Sequence, residues 1–372
     1  MQRRLLPAAI AALGFFATLA GRSDAAQMPP TIRPAGAQAF GAHTLRPFGA
    51  QRFGKTAPMP VPQQFMHADL GRPIPPAHAL IARPQGGGFA KKAALDYIFT
   101  SDNATGDVNV YDEATLTLQA QGFGLAGWGV AADKKGHICW GTLYGTITCG
   151  ISTSDYLYMQ TSSLSESFGN AYGMAFTANG DLYATNFDTD IVDHWTAAQV
   201  AGCASGCGPA SSFTVQDITP YFLGADGAKL YADGYDAAGD TLIGTVNVHN
   251  GKYKATLTAT DFFPGGIAFD ARHNLTWDDQ YGYLLTYAPP YQQFDDSLYY
   301  GGNPSDPIDY TAIALDPSET TLLAALIYQC GSDAFCSAAQ ELSYPLGAFG
   351  ITSGQNGDIA DYGIAITPQA KN

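Results

Sequence analysis

The stretch PGGIAFDARHNLTW, residues 264–277, carries the pattern on which the fold turns. Gly266-Ile-Ala-Phe-Asp270 is apolar through its centre and closes on an aspartate. A short polar run and a second apolar segment follow. An apolar run of this length between turn residues reads as a strand buried on both faces, then a tight turn and a partner strand. Related runs stand at Gly129-Val-Ala-Ala-Asp133, Gly173-Met-Ala-Phe-Thr177, Ala312-Ile-Ala-Leu-Asp316 and Gly363-Ile-Ala-Ile-Thr367, with a weaker copy beginning at Gly234 in GYDAAGDTLIGTV. Six such units in residues 96–372 average about 46 residues each, the length of a four-stranded propeller blade.

The expectation is therefore an all-β, six-bladed β-propeller. The last copy ends the chain with no following strand, and a lone strand is not stable in water. It is expected to pair with the start of the domain, where YIFTSDNATGDVNVYD reads as a hairpin from Tyr97 to Tyr111. Closing the ring in this way leaves no open edge at its centre.

Two segments precede the propeller. Residues 1–26 combine Arg3 and Arg4, an apolar run from Leu5 to about Ala20 and small residues at Ala25 and Ala26, the three parts of a secretory signal peptide. The run is too short for a good membrane span, and no later segment replaces it. The expected location is secreted or periplasmic, with no integral membrane segment in the mature protein. Residues 27–95 are rich in Pro, Gly, Ala and Gln and read as a flexible leader. This leader carries eight basic residues and one acid, a net charge of +7, whereas residues 96–372 carry −24. The leader either stays solvated or lies on the acidic domain or another anionic surface. So acidic a domain repels nucleic acid.

All six cysteines fall in the propeller in three close pairs: Cys139 with Cys149, Cys203 with Cys207, and Cys330 with Cys336. No histidine stands near either short pair at zinc spacing, and three disulfides in an oxidising compartment are expected. The chain has no Gly-x-Ser-x-Gly elbow, phosphate loop or His-Glu-x-x-His motif. Its abundant aspartates suit tight turns. Asn186, Asp188, Asp190 and Asp193 in NFDTDIVD nonetheless place several oxygen donors in one short loop, as do Asp102, Asn103 and Asp107 in DNATGD, and Ca2+ or another divalent cation could bind at either.

YGMAFTANGDLYATNF (172–187) and PGGIAFDARHNLTW resemble the blade motif of the NHL and SMP-30/gluconolactonase-like six-bladed propellers. That resemblance implies the fold. For the lactonases of the group it implies a divalent cation in the channel, held by a Glu from an early Glu-Gly-Pro motif together with Asn and Asp. No Glu-Gly-Pro occurs here, and no catalytic residue is carried over. The reading is an exported, noncatalytic propeller that binds a small molecule, a sugar or a protein. A metal-dependent lactonase, hydrolase or lyase is the alternative.

Residues just before each innermost strand gather at one end of a propeller's axis. Alignment of the copies puts Trp128, Tyr172, Asp233, Gly265, Thr311 and Tyr362 there, with Asn170, Asp309, Tyr310 and Asp361 slightly further back. Aromatic faces and carboxylates around one opening suit a cation, an amine or a sugar. The same rings could instead plug the channel. A tyrosine-rich stretch, 281–310, is a second surface for partners, or packing between two blades.

Overall fold

The computed structural model describes residues 80–82, 96–102, 106–122, 126–142, 144–152, 156–167, 169, 171–186, 189–203, 206–259, 264–278, 283–291, 296–299, 308–329, 335–345, 349–352, 356–357 and 361–367. Four strands come before the first complete blade: β1 (Leu80–Ala82), and then the hairpin of β2 (Tyr97–Asp102) and β3 (Asp107–Asp112) with β4 (Leu118–Gly122). The first blade is β5 (Ala126–Ala132), β6 (His137–Thr142), β7 (Thr146–Ile151) and β8 (Tyr156–Ser165). The second is β9 (Gly173–Phe176), β10 (Leu182–Thr185), β11 (Ile191–Trp195) and β12 (Ser211–Thr214), with helix α1 (Ala197–Gly202) between its last two strands. The third comprises β13 (Thr219–Asp226), β14 (Lys229–Tyr235), β15 (Thr241–Val246) and β16 (Tyr253–Ala259). β17 (Ile267–Phe269), β18 (Leu275–Asp278), β19 (Tyr283–Tyr287) and β20 (Asp296–Tyr299) make the fourth. The fifth holds β21 (Ile308–Leu315), β22 (Thr321–Gln329), β23 (Phe335–Ser343), β24 (Phe349–Thr352) and the short β25 (Asn356–Gly357). β26 (Asp361–Thr367) lies beside β2, giving a sixth sheet in the order β26-β2-β3-β4.

The inner strands β5, β9, β13, β17, β21 and β26 touch in that cyclic order, so the six sheets form a propeller ring. Six apolar clusters fill the described core, one at each seam between blades. This explains why the repeated run is apolar on both faces: its two sides serve two different seams. Ile364 and Ile366 join the seam with the fifth blade, while Ala365 between them joins the seam with the first.

Glycine starts most of the copies because the next blade's backbone comes close. A Cβ on Gly173 would stand 2.4 Å from the Tyr221 carbonyl oxygen, and one on Gly363 would stand 2.4 Å from that of Trp128. Where a run ends on Asp133, Asp270 or Asp316, that aspartate caps the turn to the second strand. Asp270 Oδ1 accepts the amides of Arg272 (2.9 Å) and Asn274 (2.8 Å), and Asp133 and Asp316 hold their turns the same way.

The weak copy is corrected. Gly234 lies on β14, the second strand of the third blade, opposite Pro220. The inner strand is β13, and the run aligned with the others is Phe222-Leu-Gly-Ala-Asp226. With Phe222 as the third start, the copies are spaced 44, 49, 44, 46 and 51 residues apart.

The first blade also receives a fifth strand from inside residues 27–95. β1 pairs antiparallel with β8, Leu80 opposite Met159 and Ile81 opposite Tyr158. Among the described residues, no helix is long and apolar enough to cross a membrane.

Candidate functional site

At the end of the axis where the inner strands begin, an aromatic arc crosses three consecutive blades. Trp128 leads into the first, Tyr172 into the second, and Tyr221 into the third. The Trp128 and Tyr172 rings lie 5.2 Å apart; Tyr172 meets Phe222 at 5.0 Å and Tyr221 at 6.1 Å, both edge to face. Tyr221 in turn meets Tyr235 edge-on at 5.3 Å. Trp128, Tyr172 and Phe222 are buried, whereas Tyr221 and Tyr235 are only half-buried. The arc therefore has a packed base and two outer rings.

Below it, the inner strands line a partly open cavity of about 70 Å³ bordered by Trp128, Tyr172, Met174, Phe222, Ile267 and Ile364 among others. Space of that size takes a few water molecules or a small ion, far less than the several hundred Å³ of a typical small-molecule pocket. A sugar or a peptide side group has to sit outside it, against the outer rings.

Alignment from Gly234 puts Asp233 at this opening; the structure puts it elsewhere. Asp233 is on β14 and fully buried at the seam with the fourth blade. Its Oδ1 accepts the Phe222 amide at 2.8 Å, and its Oδ2 accepts the Gly265 amide at 2.7 Å and Trp277 Nε1 at 3.0 Å. Burial pushes the carboxyl up to about 8, against three donors that favour its ionised form. Ser101, opposite Gly363, plays a comparable part at another seam. Its hydroxyl donates to the Trp128 carbonyl at 2.8 Å and accepts the Gly363 amide at 3.1 Å. The side chain facing the start of an inner strand thus reaches the lead-in residue of the next blade. Asp233 is a polar stitch of this kind, and its position in the sequence of the true lead-in residue is taken by Tyr221.

The other expected residues are distributed as follows. Gly265 serves the Asp233 stitch, and Thr311 is buried with its hydroxyl donating to the Ala325 carbonyl at 3.3 Å. Asp309 and Tyr310 lie on β21 opposite Ile327 and Leu326, and Asp361 and Tyr362 begin β26 with Asp361 opposite Asp102; the side chains of all four fall outside the described residues. Asn170 and Asp188 fall outside them altogether. Asn186 is buried, while Asp190 is exposed and accepts the Thr219 hydroxyl at 2.9 Å. No group of three or more His, Cys, Asp or Glu able to hold a metal occurs among the described residues. Two disulfides are formed, Cys139–Cys149 and Cys203–Cys207. Cys336 lies on β23 opposite Tyr328, but its side chain and Cys330 are outside the described residues. In the tyrosine-rich stretch Tyr287 and Tyr291 are buried in the seam cluster of the third and fourth blades.

Histidines tie turns together. His137 Nδ1 lies 2.8 Å from Asp133 Oδ2, and His273 Nδ1 lies 2.6 Å from Asp226 Oδ1, joining the third blade to the fourth. His194 stacks on Tyr183 with ring centroids 4.6 Å apart and meets the Ser211 hydroxyl at 3.0 Å.

The sequence offers Asp193 only as an oxygen donor of the NFDTDIVD loop and does not reveal the buried carboxyls between the first and second blades. Asp193 accepts the Ser167 amide (2.7 Å) and the hydroxyls of Ser167 and Ser212 (2.6 Å each). Glu166, beside it, has both oxygens buried. The Ala171 amide favours its charged form, yet neither oxygen gains a partner of hydrogen-bonding geometry. Burial, with Asp193 adding to it, pushes Glu166 up to about 8. Glu113 rises to about 7 by burial and by the neighbouring charges of Asp96, Asp316, Glu341 and Asp112. A glutamate in the polar run SLSESFGN carries no signal of burial.

The chain matches no known family, and no curated protein matches it.

Proposed function

We propose that this chain is an exported propeller of the NHL/SMP-30-like kind that acts by binding rather than by catalysis, taking a small molecule, a sugar or a protein side group at the aromatic end of its axis. The arc from Trp128 to Tyr235 carries the proposal, because it sets two half-buried tyrosines over a packed aromatic base on three adjacent blades. Tyrosine offers apolar area and a hydroxyl together, the combination favoured where partners bind. The two disulfides suit an oxidising compartment.

The test is a screen on immobilised glycans and small amines with the full chain, the Tyr221→Ser and Tyr235→Ser variants, and a Tyr144→Ser control. Tyr144 is exposed on a hairpin of the first blade and takes no part in the arc. Binding lost in the first two variants and kept in the control supports the arc; equal binding in all four proteins places the ligand elsewhere. The metal-dependent hydrolase alternative draws on buried Asn186 beside the Asp188–Asp190 loop. Elemental analysis finding one calcium or other divalent ion held per chain would turn the proposal toward it.

A further inference from the structure

The outermost strands of five blades are short: β4 has five residues, β12, β20 and β24 have four each, and β16 has seven. β8, the outermost strand of the first blade's own hairpins, has ten. Long edges present rows of unpaired N–H and C=O groups that invite pairing with another chain, and natural sheets shorten or cover them. The edge of β8 is covered in two pieces of different character.

Its C-terminal half is covered from the second blade. The Thr161 hydroxyl donates to the Val200 carbonyl (3.1 Å), the Ser163 amide to that of Cys203 (3.0 Å), and the Ser165 amide to that of Cys207 (2.9 Å). Helix α1, with its Thr196–Gln199 capping box, and the Cys203–Cys207 disulfide fix this cover in place. Among the described residues the N-terminal half is covered by β1, with Leu80 opposite Met159, Ile81 opposite Tyr158 and Ala82 opposite Tyr156 across a register shift. Pro84 follows two residues after Ala82, and Pro75 and Pro76 precede it, so the sequence offers little more chain that can donate to a ladder. Three residues is the lower limit of ordinary strand length, so β1 contributes few ladder bonds.

We propose that the Tyr156–Met159 edge of β8 is a strand-docking site for a short, extended, aliphatic peptide segment, and that Leu80–Ala82 of the same chain is its built-in, exchangeable occupant. Strand addition to a sheet edge is a recurrent mode of peptide recognition, in which the backbone supplies affinity and alternate side chains supply selectivity. Charge favours the chain's own leader as occupant: residues 27–95 carry +7 and residues 96–372 carry −24. While β1 is docked the edge is closed; a competing segment has to displace it.

The probe is a dye-labelled synthetic peptide copying residues 77–86, AHALIARPQG, used with the full chain and its Ile81→Pro variant. Proline at 81 removes a ladder donor without touching the propeller, so melting should be unchanged. Amide exchange over 156–159 should become about tenfold faster in the variant. The peptide should bind the variant about tenfold more tightly than the unmodified chain, where it competes with the tethered strand, and should restore the lost protection. Equal exchange in both proteins, or a peptide that restores no protection, overturns the proposal. A dimer of the full chain that Ile81→Pro converts to a monomer would also overturn it, showing that the strand docks on a second copy.

Discussion

The Gly265 backbone amide donates to Asp233 Oδ2 at 2.7 Å across the seam between the third and fourth blades. Trp277 Nε1 and the Phe222 amide complete the set, so one carboxyl joins an inner strand, a second strand and the lead-in of the next blade. Asp233→Ala would leave three buried donors without an acceptor, at a cost of roughly 3–5 kcal/mol. Asp233→Asn keeps the shape but turns an NH2 group toward donors, and should cost less, roughly 2 kcal/mol. Chemical denaturation reads both; an Asp233→Ala midpoint equal to that of the unmodified chain would remove the carboxyl from the account of the seam.

Glu166 sets a pH dependence of definite sign. Its carboxyl is raised from 4.5 to about 8, so the folded protein holds a proton that the unfolded chain releases. The stability tied to that proton is fully present below about pH 4.5 and is lost as the pH rises through about 8. Glu113, raised to about 7, acts in the same sense. Melting temperature should therefore fall between about pH 5 and pH 9. Glu166→Gln removes the buried charge and should be more stable than the unmodified chain by roughly 2 kcal/mol at about pH 9, with the difference shrinking toward pH 5. Parallel melting curves for the two proteins across that range would contradict the assignment.

The sequence periodicity located the inner strands wherever a glycine or alanine had to admit the neighbouring blade, as at Gly129, Gly173, Gly266, Ala312 and Gly363. It failed in the third blade, where Phe222 starts the run and the glycine stands two places on, at Gly224, against Ile267. That one displacement hid Tyr221 and promoted Asp233 to the opening. The buried stitches were also illegible, because an aspartate beside glycine looks the same whether it caps a solvated turn or accepts three buried donors. β1 was hidden by its Pro- and Gly-rich surroundings, although the charge contrast between leader and domain already allowed the leader to lie on it.

The two disulfides should differ in consequence. Cys139 and Cys149 face each other across β6 and β7 inside the first seam, and both are fully buried. Their replacement by alanine should cost about 2–3 kcal/mol in thermal or denaturant melts. Cys203→Ser with Cys207→Ser loosens the outer cover of β8, and should speed amide exchange at Ser163 and Ser165 more than it lowers the global melting temperature. A global loss as large as that of the first pair would mean that the loop belongs to the core. Intact mass before and after reduction checks the third pair, Cys330 and Cys336: six cysteines fully paired gain six hydrogens on reduction.

Removal of residues 361–372 is the most severe truncation the ring should face. β26 pairs with β2 from Tyr97 opposite Thr367 to Asp102 opposite Asp361. Its alternate side chains wall two different seams, Ile364 and Ile366 on one side and Ala365 on the other. Its loss would strip one wall from both seams and leave the Ser101 hydroxyl without the Gly363 amide. Each buried isoleucine alone contributes about 1.5–3 kcal/mol, so the pair contributes about 3–6 kcal/mol, comparable to the lower end of the whole stability of an ordinary domain. The truncated chain should lack a cooperative melting transition. A milder variant separates closure from simple loss of apolar area. Gly363→Val adds apolar surface, but its Cβ would fall 2.4 Å from the Trp128 carbonyl oxygen and 2.8 Å from Ser101 Oγ, forcing β26 away from the first blade. It should lower stability by roughly 2–3 kcal/mol, the usual range for overpacking. If both variants melt like the unmodified chain, the terminal strand does not hold the ring closed.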